Sequence, residues 1–392
     1  MRHDYDHLII GAGMCGEAAA QAIHALAPQA RIGMIGAERH PPYDRPPLSK
    51  ALWKDAAEDS VWRPVADSGA SLHLGRRAST IDATAHTVSD DHGDVYHYGK
   101  LLLATGGSPR RLAFGGDRVL AYRGLDDYRR LRELARPGAH IAVVGGGFIG
   151  CEIAAALAQH QCRVTMLFPE SRLGVRVYPA GLSRFVDGYY RERGIDIRSG
   201  RLASSGEQRG ESVLLRLDDG STLEADAVVA GLGIVPDTAL GSAAGAEVDN
   251  GIHVDACMRT RVADVFAAGD VANFPNPALG RLRVEHENAA VTMGQCAGRA
   301  MAGQATPYTE LPFFYSDLFD LGYEAVGRLD ARLDIVEDWV TPNREGVVYY
   351  LEHGRVRGVL LWNTWGQVDA ARALIAEPGP HDASSLRARI RA

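Results

Sequence analysis

Short apolar runs that end in glycine alternate with longer, alanine-rich stretches over the first two thirds of the chain. Leu8-Ile9-Ile10 enters Gly11-Ala-Gly13-Met-Cys-Gly16, an Ala-rich stretch covers residues 17–26, and a second apolar run follows over 32–35. Continuous apolar runs bounded by glycine predict buried strands, and the stretch between them predicts a helix. The pattern recurs: Ile141-Ala-Val-Val144 enters Gly145-Gly-Gly147-Phe-Ile-Gly150, with a helix expected over 151–159 and a strand over Arg163–Phe168. One GxGxxG is weak evidence, but two in the same strand, turn, helix setting and 134 residues apart predict two dinucleotide sites.

Lys100-Leu-Leu-Leu-Ala104-Thr-Gly106-Gly, Ala227-Val-Val-Ala-Gly and Val265-Phe-Ala-Ala-Gly-Asp270 are further strands with glycine at their ends. Such ends bring backbone N–H groups to the sheet edge where open α/β folds take ligands. Residues 308–378 change character. Residues 309–319 are aromatic-rich, the runs 347–351 and 356–362 form a hairpin pair around His353-Gly354, and a helix over 367–375 can cover them, which predicts a small α+β domain. The Pro-, Ser- and Arg-rich tail from Glu377 is expected to be loose.

At 392 residues the chain is long enough for two or three domains with cores of their own. A net charge of -7 argues against a nucleic-acid surface, and Arg129-Arg130-Leu131-Arg132 reads as a solvated helix face. No stretch of 18 uninterrupted apolar residues predicts a membrane span, and the polar start does not have a secretory layout. A cytoplasmic protein is expected. The five cysteines form no Cys-x-x-Cys pair, so no metal site and no dithiol centre is expected. Glycine, at 44 residues, exceeds the usual share, and the excess gathers at strand ends where backbone must approach a ligand closely.

In each glycine motif the first residue permits the turn, the second lets backbone reach a diphosphate, and the third lets the helix pack closely. The diphosphate then sits on unpaired helix N–H groups. An ordinary tight turn is the alternative for Gly11, Gly13 and Gly16. A carboxylate past the second strand of each unit holds ribose hydroxyls: Glu38 in the first and Glu170, 25 residues after Gly145, in the second. Glu170 favours NADH over NADPH by repelling a 2'-phosphate, although Arg172 nearby acts the other way. Asp270 is read as a ligand contact, because the fingerprint alone cannot hold a second, bulky dinucleotide in register, with helix capping as the alternative. The segment Pro41-Pro-Tyr-Asp-Arg45-Pro-Pro-Leu-Ser-Lys50 suits a stiff wall positioning Arg45 and Lys50, and a plain surface loop explains its composition equally well.

Taken together, these stretches resemble the FAD-dependent pyridine-nucleotide oxidoreductases, in the branch of oxygenase-coupled ferredoxin reductases and apoptosis-inducing-factor-like proteins. The resemblance runs from Gly11 to about Ile375. It is most specific at Pro42-Tyr-Asp-Arg-Pro-Pro-Leu-Ser-Lys50, Ala104-Thr-Gly-Gly107, Gly145 to Glu152, Phe266-Ala-Ala-Gly-Asp270 and Arg283-Val-Glu-His286. It implies an α/β fold of two Rossmann-like, glutathione-reductase-like dinucleotide-binding domains plus a small α+β C-terminal domain. The implied layout is FAD segments 1–112 and 238–307, an NADH domain at 113–237, and a third domain at 308–392 that supplies flavin-pocket, homodimer or partner surface. By motif position, Lys50 and Glu152 form an ion pair beside non-covalent FAD, and Arg45, Ala104, Gly106, Asp270, Glu285 and His286 line its site. Gly145, Gly147, Phe148, Gly150 and Glu170 take NADH.

Two departures stand out. Ala37 occupies the position where relatives carry the ribose acid, leaving Glu38 one residue late. Tyr315 stands where relatives commonly carry Trp beside the flavin or nicotinamide, stacking over less area and bringing a hydroxyl that needs a partner. The implied reaction is hydride transfer from NADH to FAD, then electrons to a ferredoxin or another acceptor. Arg281, Arg283 and Arg299 are candidates for a basic docking patch, and a scattered solvated surface explains them almost as well. Two other classes stay open: a low-turnover, NADH-sensing interaction protein of the apoptosis-inducing-factor kind, and a flavin monooxygenase or oxidase.

Overall fold

The computed structural model describes residues 1–390. The chain forms two compact units, each assembled from three separate segments: Met1–Asp44, Glu58–Ser108 and Val235–Pro312 in the first, and Arg45–Ala57, Pro109–Ile234 and the chain from Phe313 onward in the second.

The first unit is organised by a parallel sheet in the order Ser71–Leu74, Ile32–Gly36, Arg2–Ile10, Val95–Leu103, with Val265–Ala267 also paired to Val95–Leu103. Two antiparallel strands, Ala78–Asp82 and Thr87–Asp90, extend its edge. Register sets the site. Ile10 lies beside both Ile35 and Leu103, and Leu103 beside Ala267, so the four strand ends, each soon followed by a glycine, leave the sheet at one level.

Helix Met14–Leu26 packs against helix Glu287–Met301, a helix the apolar runs did not predict. Its signal was present: Ala289, Met293, Cys296, Ala297 and Ala300 are buried at helical spacing, although the small side chains around Met293 make a faint apolar stripe. The close approach depends on two glycines. A Cβ on Gly294 would overlap the Cys15 carbonyl oxygen, and one on Gly298 the Ala19 carbonyl oxygen.

In the second unit a parallel sheet runs Asp196–Ser199, Arg163–Phe168, His140–Val144, Ala227–Ala230, Val119–Ala121. Helix Phe148–Gln159 starts three residues before its expected position. From Phe313 the chain builds a five-stranded antiparallel sheet, with Leu321–Gly327 between Phe313–Leu318 and Arg355–Trp362. The predicted hairpin is present, Glu352 facing Arg355, and helix Val368–Ala376 packs on this sheet.

The tail expected to be loose is ordered as far as it is described. Asp382 caps a short helix, Leu386 is fully buried, and the Ala388 N–H donates to Asp338 at 2.7 Å. Its polar composition hid two apolar anchors, Leu386 and Ile390.

Candidate functional site

In the first unit, Gly11 leaves its strand at φ +120°, and a Cβ there would overlap the Ala104 carbonyl oxygen. A Cβ on Gly16 would overlap the Gly11 carbonyl oxygen in turn. Gly13 differs, having nothing within 4 Å of its Cβ position. It is the N-cap of its helix in extended conformation, so no side chain caps the first-turn N–H groups. That combination of tight first and third glycines with an open middle one fits a diphosphate.

Glu17, in the first turn of that helix, is buried and would oppose an anion. Arg63 offsets it, with Nε 2.6 Å from Glu17 and Nη1 2.6 Å from Asp44. Around the same turns, Gly269 stands at φ +77° with its Cβ position against Cys15, and Asp270 follows it in a single 3-10 turn. His286 is the N-cap of helix Glu287–Met301, and desolvation holds its imidazole down at about 4 against the opposing pull of the Asp270 carboxylate. Gly106, at φ +65°, accepts from the Asp237 N–H at 3.1 Å. Glu38 accepts the Tyr43 hydroxyl at 2.6 Å.

Arg283, a candidate for the docking patch, donates to the Asp270 carbonyl at 3.1 Å and pairs with Glu285 at 2.8 Å. Arg281 donates to the Val254 and Asn273 carbonyls. Arg281 thus donates to backbone, while Arg283 is shared between backbone and the Asn250 and Glu285 side chains.

The second unit repeats the cradle. A Cβ on Gly145, at φ +119°, would overlap the Gly231 carbonyl oxygen, one on Gly150 would overlap the Gly145 carbonyl oxygen, and Gly147 faces open space as an uncapped helix start. Phe148 is exposed at the first helical position, 4.8 Å from the Phe314 ring centroid. Glu170 accepts from the exposed Arg176 at 2.6 Å, so the cation that the structure pairs with it is Arg176 rather than Arg172.

Four residues away from Phe148 along the same helix, Glu152 is only 3% exposed. Its Oε2 accepts from Lys50 Nζ at 2.8 Å and Ser49 Oγ at 2.6 Å, and its Oε1 accepts from Ser316 Oγ at 2.6 Å. Lys50 also lies 5.0 Å from the centroid of the half-exposed Tyr315 ring. Lys50, Glu152 and Tyr315 are thus one cluster, which spacing of 50, 152 and 315 along the chain could not show. Arg45 donates to the Arg123 carbonyl at 3.0 Å in this unit. Ser49 and Ser316 had no role assigned from the sequence, because a serine inside a motif carries no pattern that names its partner.

The profile of the family described as pyridine nucleotide-disulphide oxidoreductase matches residues 5–294. The chain belongs to this family. Among its members, the chain is 36% identical to the ferredoxin–NAD(+) reductase component of the anthranilate 1,2-dioxygenase system of Burkholderia cepacia, over 97% of this chain and 96% of the relative. It is 32% identical to apoptosis-inducing factor 1, mitochondrial, of Dictyostelium discoideum, over 96% and 80%. Among solved structures, a chain of the covalent putidaredoxin reductase–putidaredoxin complex superposes with a TM-score of 0.89 at 30% identity, covering 96% of this chain and 94% of that one. The protein is an oxidoreductase of the ferredoxin-reductase type.

Burial pushes the Cys151 thiol up to about 12 and the Cys162 and Cys296 thiols to about 11, and raises Cys15 further still. Among the described residues no cluster could hold a metal ion, and no helix is long and apolar enough to cross a membrane.

Proposed function

We propose that the protein oxidises NADH at a bound FAD and passes the electrons to a ferredoxin-type iron-sulfur protein. FAD would be held by residues 1–112 and 238–307 and NADH by 113–237. The observation that carries this reading is the pair of matching cradles, each with one open glycine facing an uncapped helix start. When bound, FAD accepts hydride from the nicotinamide and passes electrons on.

The chain's own part is placement. The first-turn N–H groups after Gly13 and Gly147 receive the two diphosphates, and Arg63 cancels the Glu17 charge beside the first. Neutral His286 and the Asp270 turn border the first cradle without adding a cation. In the second, Phe148 and Phe314 offer an apolar face to a nicotinamide, and Glu152 holds the Lys50 ammonium in one position. The similarity to ferredoxin reductase components supports an iron-sulfur acceptor.

An anaerobic NADH titration followed by reduction of an added ferredoxin tests this. Rapid bleaching of the flavin bands and ferredoxin reduction are expected. Slow bleaching with persistent long-wavelength absorbance and no reaction with one-electron acceptors would favour the redox-sensing alternative.

A further inference from the structure

Of the 42 basic residues in the chain only three are lysines, Lys50, Lys54 and Lys100. Where nearly every cation is arginine, a lysine buried at the second cradle is a distinctive choice. A compact ammonium fits where a planar guanidinium fork does not. Lys50 has a side chain only 10% exposed, held between the Glu152 carboxylate and the Tyr315 ring.

What holds the carboxylate is therefore as important as the lysine. Ser49 and Lys50 are neighbours and both reach Oε2; Tyr315 and Ser316 are neighbours on strand Phe313–Leu318 and point to opposite faces, Tyr315 outward and Ser316, 1% exposed, inward to Oε1. Without Ser316, one buried carboxylate oxygen loses its donor. The carboxylate is then free to turn about its last bond toward other donors, and the ammonium turns with it.

We propose that Ser316, assisted by Ser49, is a positioning residue for hydride transfer: it locks the Glu152 carboxylate so that Lys50 is held in one place under Tyr315. This rests on the proposed NADH and FAD reading. Neither serine is a proton donor or nucleophile in the step; each acts only through Glu152.

The test uses the FAD-loaded protein and two readouts. Competitive acetylation with acetic anhydride, followed by mass spectrometry, reports the freedom of Lys50 with Lys54 and Lys100 as internal standards. Anaerobic stopped-flow reduction separates NADH affinity from the reduction rate. Ser316→Ala is expected to raise Lys50 acetylation about fivefold relative to the other lysines. It should slow reduction about tenfold while NADH affinity changes less than about twofold.

Ser316→Thr, which keeps the hydroxyl, is expected to restore both. Ser49→Ala is expected to move both readouts the same way and carries the test if Ser316→Ala does not fold. Unchanged Lys50 labelling in both alanine variants overturns the proposal. So does an equal rise at all three lysines, which would mean general loosening, or freed Lys50 with an unaltered reduction rate. A wild-type protein that NADH cannot reduce would instead overturn the reading of the site, while the labelling still reports whether the serines hold the carboxylate.

Discussion

Two glycines of one motif should fail in opposite ways. At Gly11 an alanine methyl would occupy the space of the Ala104 carbonyl oxygen at φ +120°. Backbone strain of this kind costs about 1–3 kcal/mol and overpacking about as much again, so Gly11→Ala should lose about 2–6 kcal/mol. Against a total stability of about 5–15 kcal/mol that is a large share, and the apoprotein Tm should fall by about 4–20 °C.

At Gly13 nothing lies within 4 Å of the Cβ position and the backbone is ordinary extended chain. Gly13→Glu should cost under about 1 kcal/mol as a changed N-cap. Its carboxylate, however, would share the diphosphate space. At about 5 Å and an effective dielectric of about 20, each phosphate charge is opposed by about 3 kcal/mol, so FAD affinity should fall by more than about 10³-fold. Scanning calorimetry of the apoproteins and flavin content after gel filtration measure the two effects. A flavinated Gly13→Glu, or a Gly11→Ala as stable as the parent, would refute the assignment of the cradle.

The same substitution in the second cradle, Gly147→Glu, should leave FAD bound while abolishing NADH reduction; loss of both cofactors would show the two sites wrongly assigned. Glu170→Ala should raise tolerance of NADPH, read as the ratio of kcat/KM values, because a repelling carboxylate goes and Arg176 is released; an unchanged ratio removes Glu170 from the specificity argument. Native protein should offer Ellman's reagent at most Cys257 at pH 8, and all five thiols in denaturant, since the other four are buried. Fast reaction of a second native thiol would contradict this. His286 in the apoprotein sits at about 4 against an ordinary 6.5, so the unfolded chain takes up the proton first. Its contribution is complete above pH 6.5 and is lost as pH falls from there toward 4, by about 2–3 kcal/mol. His286→Asn should flatten that part of the stability profile, and identical acid profiles for the two proteins would argue against a buried neutral ring.

The glycine motifs were legible because close approach of backbone admits one residue type, and the strand, turn, helix order around them is local. The C-terminal hairpin was legible because two apolar runs flank His353-Gly354 and pair across a short turn. Helix Glu287–Met301 escaped because its buried face is mostly alanine and glycine, whose apolar signal is faint even though Gly294 and Gly298 let it pack against Met14–Leu26. The tail escaped because two apolar residues, Leu386 and Ile390, outweigh a polar composition once a surface exists to receive them.

Fold class, the two cradles and the identity of Lys50, Glu152 and Tyr315 as candidates were thus decided by sequence, through local geometry and through resemblance. The resemblance implied the Lys50–Glu152 pair, which the structure contains, but the other pairings were decided only in three dimensions. Arg63 meets Glu17, Arg176 meets Glu170, and Ser316 meets Glu152 across 164 positions of chain. A buried carboxylate takes whichever donors the packed elements bring within about 3 Å, and no periodicity along the chain encodes that neighbourhood.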